Sequence, residues 1–584
     1  MSWKHLFEKK TLGMLQAELQ DEKRLNRVLG PVALTSLGVG AIIGAGIFAM
    51  TGRVAAEDAG PAVILSFAVA GVACMFAAFC YAEFAAMAPV AGSAYTYTYA
   101  TLGELWAWII GWDLILEYAM SCSVVAAHWT HYLDEALRTI FGISLPAVLT
   151  SDPFTKIYLT DGSVLQPYCN LPAALIVLLI TYILVIGIRE SAATNTAFVI
   201  IKLAVVLLVI VLGMSYVAPQ NWTALPVENR RETNLLDYLH RHPELAAQVQ
   251  SDDVDSFTTG LAFLEQHPEL AATLPPAEKS IISTLPHEAK KWGLLSILGI
   301  KALLDPIDDA VRSPFMPYGF SGLMIGAALV FFAYIGFDSI STHAEEARRP
   351  ERDVPIAILT ALVLCTVLYM LVSAVITGME EYWLIDPNAA LASAFRKRAQ
   401  ADSSPLLNAC AGLIAVGALA GLTSVILVNF LSQSRIFLAM ARDGLLPNKL
   451  FGVVHEKYRT PHRSTILTGV AIALVAGFFP IRLLEEMVSI GTLMAFVLVC
   501  GSVMVLRIKH PHVHRPFRCP WLFVVAPLGM LVNLTLMLFL PLDTWFRLLI
   551  WLGLGIILYL GFGMRHSVLR KTLNTPLTEM ADEV

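Results

Sequence analysis

The stretch GVGAIIGAGIF, residues 38–48, places four glycines inside an apolar run. A second apolar run, residues 319–342, contains FFAYIGFDS at residues 331–339, again with a glycine near its middle. Glycine in a helix interior lowers helix stability by about 1 kcal/mol relative to alanine. Both stretches therefore predict helices that break halfway along their length. For the first stretch another interpretation is equally open, because Gly40 and Gly44 form a GxxxG pair that would seat a neighbouring helix.

The chain around these stretches is strongly apolar. Of its 584 residues, 57% are hydrophobic and 15% are charged, and its mean hydropathy is +0.66, values that exclude an ordinary soluble domain. Runs of about 20 apolar residues, long enough to cross the hydrocarbon core of a bilayer, recur along the chain. The sequence predicts an all-α integral membrane protein with twelve transmembrane helices. Helices one to twelve are predicted at 31–56, 62–88, 104–131, 171–187, 192–217, 319–342, 354–378, 407–438, 464–479, 487–506, 521–540 and 545–563.

The order of the helices predicts an internal repeat. Helices one to five and six to ten form two halves, which an odd number of spans places in opposite orientations. An inverted repeat whose first helix is broken in each half is typical of transporters. Helices eleven and twelve are additional to it. The predicted segments are a cytoplasmic N-terminal segment (1–30), the first repeat (31–217), an extracytoplasmic loop (218–318), the second repeat (319–506), a linker with helices eleven and twelve (507–563) and a cytoplasmic tail (564–584).

The extracytoplasmic loop carries an internal duplication. YLHRHPELAAQV at residues 238–249 is followed by FLEQHPELAATL at residues 263–274. Each copy predicts a short capped helix with proline in its first turn. Two copies are too few for a solenoid, so we expect a small structural cap.

Positive charges predict the orientation of the chain. With the N-terminus inside, the cytoplasmic segments hold 23 lysines and arginines, whereas the short outer loops hold eight. Positive charge near a span tends to stay in the cytoplasm. We therefore expect both termini in the cytoplasm and a multi-pass protein of the cell membrane, with no signal peptide in the charged first 30 residues.

Two ionisable residues lie deep inside predicted helices. Lys202 in helix five is roughly 12 to 15 Å from the nearer membrane boundary at 1.5 Å per residue. A charged side chain at that depth usually faces the bundle interior and marks an ion or proton pathway. Glu117 lies near the centre of helix three, where it would meet a positive group of a substrate or pair with Lys202. Asp113 shares its helical face but lies nearer the inner boundary, and is a weaker candidate.

The two helix breaks predict a site that binds an anionic group at one end and a cationic group at the other. Unwinding at Gly44, Ala45 and Gly46 would free N–H groups at the start of a half-helix, which favours a carboxylate. The freed carbonyl groups would accept hydrogen bonds from an ammonium group. This combination fits an amino-acid zwitterion. The expected carbonyl groups are those of Ile42, Ile43, Phe331, Phe332 and Ala333.

Helix eight adds polar residues to the candidate site. Thr423 and Ser424 are hydroxyls that would suit a proton-linked site near Lys202, although each can equally bond its own helix. Asn429 is a third polar position in the same stretch, GLTSVILVNF. Tyr95, Tyr97 and Tyr99 are expected in an interfacial loop after helix two.

Other chemistry is weakly supported by the sequence. The cluster His510, His512 and His514 is interrupted by proline and lies in a basic loop, and the eight cysteines show no metal-like spacing. We expect no cofactor, no metal and no nucleic-acid partner. The expected partners are an amino acid, protons and the lipid bilayer.

Several motifs together resemble the cationic amino acid transporter group of the amino acid, polyamine and organocation superfamily. The resemblance runs from about Leu29 to about Arg507 and is interrupted by the outer loop. The motifs that carry it are GVGAIIGAGIF (38–48), AGSAYTYTYATLGE (91–104), GWDLILEY (111–118), GFSGLMIGAALVFFAYIGFDSIST (319–342), EEARRPERDVP (345–355) and ARDGLLP (441–447).

The resemblance implies a five-plus-five inverted-repeat fold with substrate between helices one, three, six and eight. Lys202 matches a helix-five lysine that stands where sodium-coupled relatives bind an ion, and Glu117 matches the helix-three acid near the substrate. The expected activity is proton symport of amino acids by alternating access, without enzymatic activity. The broken-helix positions fall on Ala45, Phe331, Ala333 and Ile335.

Two departures from the family pattern bear on specificity. The insertion before helix six is longer than expected, and Asn429 stands where an apolar residue is usual. A polar wall there would admit a longer or basic side chain, so we expect cationic amino acids to be slightly favoured over small neutral ones. An exchanger of an amino acid for its decarboxylation product or a polyamine is the alternative. A receptor or membrane enzyme would need a signalling domain or catalytic constellation, and the short cytoplasmic segments offer neither.

Overall fold

The architecture is that of a helical membrane protein. The computed structural model describes residues 8–10, 29–87, 93–155, 157–158, 164–186, 192–227, 230, 232, 234–249, 254, 258–288, 292–344, 347–458 and 460–570. Within these ranges, nine helical segments are long and apolar enough to cross a membrane, and three apolar helices are shorter. The total of twelve spans stays a prediction.

The observed helices follow the predicted order. Helices three and eight extend to 38 residues each and pack along one another, while helix two packs against helix seven. A two-residue antiparallel hairpin, Ile157–Tyr158 with Val164–Leu165, follows helix three. Helices two to five are Val63–Met87, Glu104–Phe141, Leu171–Ile186 and Ala192–Gly213. Helices seven to twelve are Pro350–Met379, Pro405–Arg442, His462–Phe478, Ile481–Lys509, Leu522–Phe539 and Leu542–Leu558.

Helix one is interrupted within its glycine-rich stretch. The α-helix Pro31–Ile42 ends at Ile43, whose backbone is extended, with φ −72° and ψ 101°. The chain then resumes as the π-helical turn Gly46–Met50 and continues through Thr51–Val54 to Ala59. The interruption leaves main-chain groups at residues 43–45 outside a regular helical ladder.

Helix six is interrupted in the same way. The α-helix Gly319–Val330 tightens into the 3₁₀ turn Phe331–Tyr334, and Ile335 is extended, with φ −59° and ψ 134°. Gly336 follows with φ 114°, in a region that side-chain-bearing residues rarely adopt. The helix resumes at Ser339–Thr342. The predicted break thus lies where the glycine of FFAYIGFDS is found.

The two interruptions pack directly against each other. A methyl group on Gly46 would overlap the Cα and Cβ atoms of Ala333, and a methyl group on Gly336 would lie 2.9 Å from the main-chain carbon of Ala41. Each broken helix therefore presents a glycine to the backbone of the other. The close contact between the two breaks is made by Gly46 and Gly336, whereas Gly44 of the GxxxG pair lies against Val425 of helix eight.

The outer segment forms a small core of its own. Its buried residues come from both copies of the duplicated sequence and from the helix Pro276–Thr284. Each copy forms two helices rather than the single helix expected, because a residue before proline is disfavoured in the α conformation. Asn234 and Thr259 cap the first helix of each pair. The pairs are Leu235–Arg241 with Pro243–Ala246, and Gly260–Gln266 with Pro268–Thr273.

The expectation of an interfacial loop at the three tyrosines is wrong. Residues Ser93–Thr101 form a helix, and the side chains of Tyr95, Tyr97 and Tyr99 are buried within the bundle. Tyr97 stacks on Phe84 with ring centroids 4.7 Å apart. The expected loop position at the interface is not found, because neighbouring helices of the bundle cover this segment.

Substitution of Gly46 tests the contact between the two breaks. We expect Gly46→Ala to lower the free energy of unfolding by about 1–3 kcal/mol, because the added methyl group must push the Ala333 backbone away. Thermal unfolding in detergent measures the change. Gly553→Ala in helix twelve is the matched control, since a methyl group there meets nothing within 4 Å. Equal thermal midpoints for the two variants would contradict the packing constraint.

Candidate substrate and proton site

The predicted site residues gather in a closed region between helices one, three, six and eight. Glu117, Phe331, Ala333 and Asn429 are at most 1% exposed, and Lys202 is fully buried. The same holds for the remaining broken-helix positions, which are at most 4% exposed: Ile42, Ile43, Ala45, Phe332 and Ile335. Any ligand that binds here is therefore enclosed by protein.

Two of the predicted carbonyl acceptors share one partner. The Tyr369 hydroxyl of helix seven lies 2.8 Å from the carbonyl oxygen of Ile42 and 2.8 Å from that of Ala333. A hydroxyl has one proton, so it can donate to only one of the two at a time. Each carbonyl keeps lone-pair capacity for a further donor. Tyr369 joins the two broken helices, and sequence reasoning missed it because nothing in helix seven marks this tyrosine.

The break in helix one lies against helix eight. Within the described chain, the N–H groups of Gly44 and Ala45 make no main-chain hydrogen bond outside regular helix. Gly44 lies against Val425, since a methyl group on Gly44 would come within 2.6 Å of a Val425 methyl. A glycine at this position therefore allows helix eight to approach the break closely.

A cluster of buried carboxyl groups lies beside the breaks. Glu117 has Asp338 of helix six and Asp113 of its own helix as charged neighbours. One oxygen of Glu117 and both oxygens of Asp113 are buried without a hydrogen-bond partner among the described residues. Unpartnered buried carboxyl oxygens carry a desolvation penalty unless they bind a proton or a cation. The region is therefore suited to a positively charged group.

Asp338 is a second site residue that sequence reasoning missed. Its carboxylate accepts a hydrogen bond from the Tyr118 hydroxyl at 2.6 Å and another from the Gly336 N–H at 3.2 Å. It thereby ties the helix-six break to helix three. The signal was present in the sequence, because an acid two residues after the glycine of an apolar span, as in YIGFDS, is itself unusual.

Lys202 is tied to helix one and not to the acids. Its Nζ donates to the carbonyl oxygen of Gly40 at 2.6 Å. Among the described residues it forms no ion pair with Glu117, although the sequence left that pairing open. Lys202 also lies against Gly421 of helix eight, where a methyl group would be 3.3 Å from its Cγ. The amine therefore lies where helices one, five and eight meet.

The three predicted residues of helix eight point in different directions. Thr423 donates to the carbonyl oxygen of Leu419 at 2.7 Å and accepts from the Trp129 indole at 3.1 Å, so its hydroxyl is engaged away from Lys202. Ser424 is buried, and its hydroxyl has no partner among the described residues. Asn429 donates to Ser121 of helix three at 2.9 Å, and its side-chain oxygen is unpartnered within the same ranges.

Charged networks close both ends of this region. At one end, Glu485 of helix ten pairs with Arg53 at 2.5 Å and with His128 at 2.8 Å. At the other end, Asp443 accepts from Tyr95 at 2.5 Å and pairs with Lys10 at 2.6 Å. These contacts join helices one, three, eight and ten to their neighbours on either side of the buried region.

The described residues include no group of three or more histidine, cysteine or acidic side chains placed to hold a metal ion. The eight cysteines are all free thiols, seven of them buried.

Removal of one hydroxyl tests the tie between helices three and six. We expect Tyr118→Phe to lower the free energy of unfolding by about 1–3 kcal/mol, because Asp338 loses a buried donor. Tyr81→Phe is the matched control, since the buried Tyr81 hydroxyl has no hydrogen-bond partner among the described residues. Thermal unfolding of both variants in one detergent gives the comparison. A larger destabilisation by Tyr81→Phe would show that the hydrogen bond to Asp338 is unimportant.

Comparison with known proteins places this geometry in a family. The family described as amino acid permease matches residues 29–258 and 293–562. The methylthioribose transporter of Bacillus subtilis is 38% identical over 566 residues, covering 97% of this chain and 99% of the relative. The branched-chain amino acid permease BcaP of the same organism is 38% identical over 568 residues, with the same coverage.

A more distant relative matches the resemblance seen in the motifs. The vacuolar cationic amino acid transporter 2 of Arabidopsis thaliana is 36% identical over 490 residues, which is 84% of this chain and 61% of the relative. Most of the chain is thus aligned with transporters, and the aligned part includes both broken helices. The chain belongs to the amino acid permease family, a family of membrane transporters within the amino acid, polyamine and organocation superfamily.

Proposed function

We propose that this protein takes up amino acids together with protons, as a secondary active transporter that works by alternating access. The observation that carries the proposal is the pair of helix breaks packed face to face, Gly46 on Ala333 and Gly336 on Ala41, beside a buried carboxyl cluster. Irregular main chain inside a membrane is tolerated where it is buried in protein or lines a cavity, and in transporters broken helices of this kind build the substrate site.

The charge pattern supports a zwitterionic substrate. A carboxylate would bind the N–H groups of Gly44, Ala45 and Gly46 at the start of a half-helix. An ammonium group would bind at the other end, between the carbonyl oxygens freed at the breaks and Glu117. The groups that would bind the carboxylate and the ammonium group belong to both broken helices, so one ligand would hold the two helices together. Substrate binding would therefore stabilise the arrangement in which the two breaks are in contact.

Lys202 is the proposed coupling residue. Its contact with the Gly40 carbonyl connects helix five to the inner half of helix one. A protonated amine holds a carbonyl oxygen more strongly than a neutral one, because hydrogen bonds from charged donors are roughly twice as strong. Loss of the proton would therefore loosen helix one. Ser424 stays a candidate partner, whereas the contacts of Thr423 give it a weaker claim.

The side-chain pocket is proposed to favour cationic amino acids slightly over small neutral ones. The support is the unpartnered oxygen of Asn429 and the nearby acids, which would accept hydrogen bonds from a basic side chain. The names of the relatives point to different substrates, so they do not decide the matter. We further propose the five-plus-five inverted repeat, a place in the cell membrane and cytoplasmic termini, on the sequence arguments above.

Uptake into proteoliposomes tests the coupling. We expect labelled arginine and alanine to accumulate when an inward proton gradient is imposed. Uptake by Lys202→Ala should not depend on the gradient, because the variant lacks the amine that binds the Gly40 carbonyl and responds to protons. Ile200→Ala is the matched control, since Ile200 is a lipid-facing neighbour that is 61% exposed. It should behave as the natural protein does.

The same assay identifies the alternative. Uptake that ignores the gradient and requires amino acid inside the vesicles would contradict proton symport and indicate an exchanger. Uptake that depends on the gradient equally in all three proteins would retain symport and exclude Lys202 as the coupling residue.

Competition against labelled alanine tests the substrate preference. We expect lysine and arginine to displace alanine, and Asn429→Leu to weaken their competition by about tenfold through loss of a buried acceptor worth about 1–3 kcal/mol. Asn533→Leu is the matched control, because Asn533 is equally buried but lies on helix eleven, outside the site. Failure of lysine and arginine to compete with the natural protein would contradict the preference.

A further inference from the structure

The short helix Lys301–Ala310, which precedes helix six, turns an apolar stripe away from the protein. In a water-soluble domain, the apolar face of a surface helix packs on the protein and the polar face meets water. Here the buried side chain is that of Asp308, whereas most of the apolar side chains are exposed. An exposed apolar stripe of this kind is favoured where the surroundings on the outward side are apolar.

The inward face is held by charges. Asp308 is 1% exposed, and its carboxylate accepts a hydrogen bond from the Ser321 N–H at 2.6 Å while pairing with Arg312 at 3.1 Å. Lys301, at the start of the helix, pairs with Glu288. These contacts fix the rotation of the helix about its axis.

The outward face carries an apolar stripe, bordered by Asp309, whose side chain is 73% exposed. Ala302, Leu303, Pro306, Ile307 and Ala310 recur at helical spacing and are all exposed. Leu303 is 74% exposed and Ile307 is 50% exposed. The turn before the helix continues the same surface, with Ile297 at 51% and Leu298 at 57% exposure. Contiguous apolar surface of this kind marks a contact with another apolar phase or molecule.

The position of the helix identifies that phase. Ser321, to which Asp308 is bonded, is the third residue of helix six. Trp292 packs on Phe539 at the end of helix eleven, with ring centroids 6.4 Å apart, and Gly293 lies against the main chain of Leu540. The helix is therefore level with the ends of two apolar helices. Leu531 and Leu534 on the same half of helix eleven are also exposed, so its outward face continues a surface that faces lipid.

We propose that the helix Lys301–Ala310, with Ile297 and Leu298, lies in the membrane interface as an amphipathic anchor, its apolar face inserted among the acyl chains of the adjoining leaflet. Interfacial helices bury their apolar face about 5–10 Å into the boundary between headgroups and acyl chains. The anchor joins the duplicated outer segment to the bilayer at the entrance to helix six. It is independent of the proposed substrate and of proton coupling.

Spin labels measure the insertion directly. The full chain is reconstituted in phosphatidylcholine nanodiscs with a nitroxide at Leu303→Cys, at Ile307→Cys or at Glu265→Cys. Glu265 is the water-facing control, an exposed residue of the duplicated segment. The unsubstituted chain, treated with the same reagent, corrects for labelling of the half-buried Cys169.

We expect labels at 303 and 307 to collide several times more often with oxygen, which concentrates in lipid, than with a water-soluble nickel complex. The label at 265 should show the opposite ratio. Equal access of the nickel complex to 303, 307 and 265 would place the face in water and overturn the proposal. Exclusion of both reagents from 303 and 307 would also overturn it, since protein would then cover the face.

Discussion

Everything in this fold depends on one constraint: main-chain polar groups inside a bilayer must find partners within the protein. Two helices break at mid-membrane, and the free groups of each are placed against the other. Gly46 and Gly336 allow the close approach, and the Tyr369 hydroxyl lies between the carbonyl oxygens of Ile42 and Ala333. The groups left without partners are those that the ligand in the proposed function would satisfy. Helices three, seven and eight surround this region and supply the buried side chains Glu117, Tyr369 and Asn429.

Charge is distributed differently at the centre and at the ends of the bundle. Toward the ends, carboxylates are paired with arginine or lysine, as Glu485 is with Arg53 and Asp443 with Lys10. At the centre, Glu117, Asp113 and Lys202 have no partner of opposite charge within ion-pair distance among the described residues. Paired charges in the membrane are less costly than isolated ones. The isolated groups at the centre would be stabilised by binding a proton or a ligand of opposite charge.

Part of the site could be read from the chain and part could not. Glu117 and Lys202 are visible in the sequence because any charge in the middle of a 20-residue apolar run is conspicuous. Asp338 is equally visible in the sequence, as an acid two residues after the glycine of an apolar span. Tyr369 could not be recognised, because a tyrosine in an apolar helix is common and only the approach of two distant breaks makes it a bridge. The helix of Tyr95, Tyr97 and Tyr99 follows helix two closely in the chain, and only the surrounding helices bury it.

The sequence by itself determined the membrane class, the order of the helices, the two broken helices and the family, because apolar length, glycine placement and motif spacing are local properties of the chain. The tertiary structure decided what each polar group meets. It directed Lys202 to Gly40 and not to Glu117, turned Thr423 toward Trp129, and rotated the helix Lys301–Ala310 so that its apolar face points outward. These outcomes depend on the relative rotation of helices that are far apart in sequence. Rotation is set by packing across the whole bundle, and no local pattern encodes it.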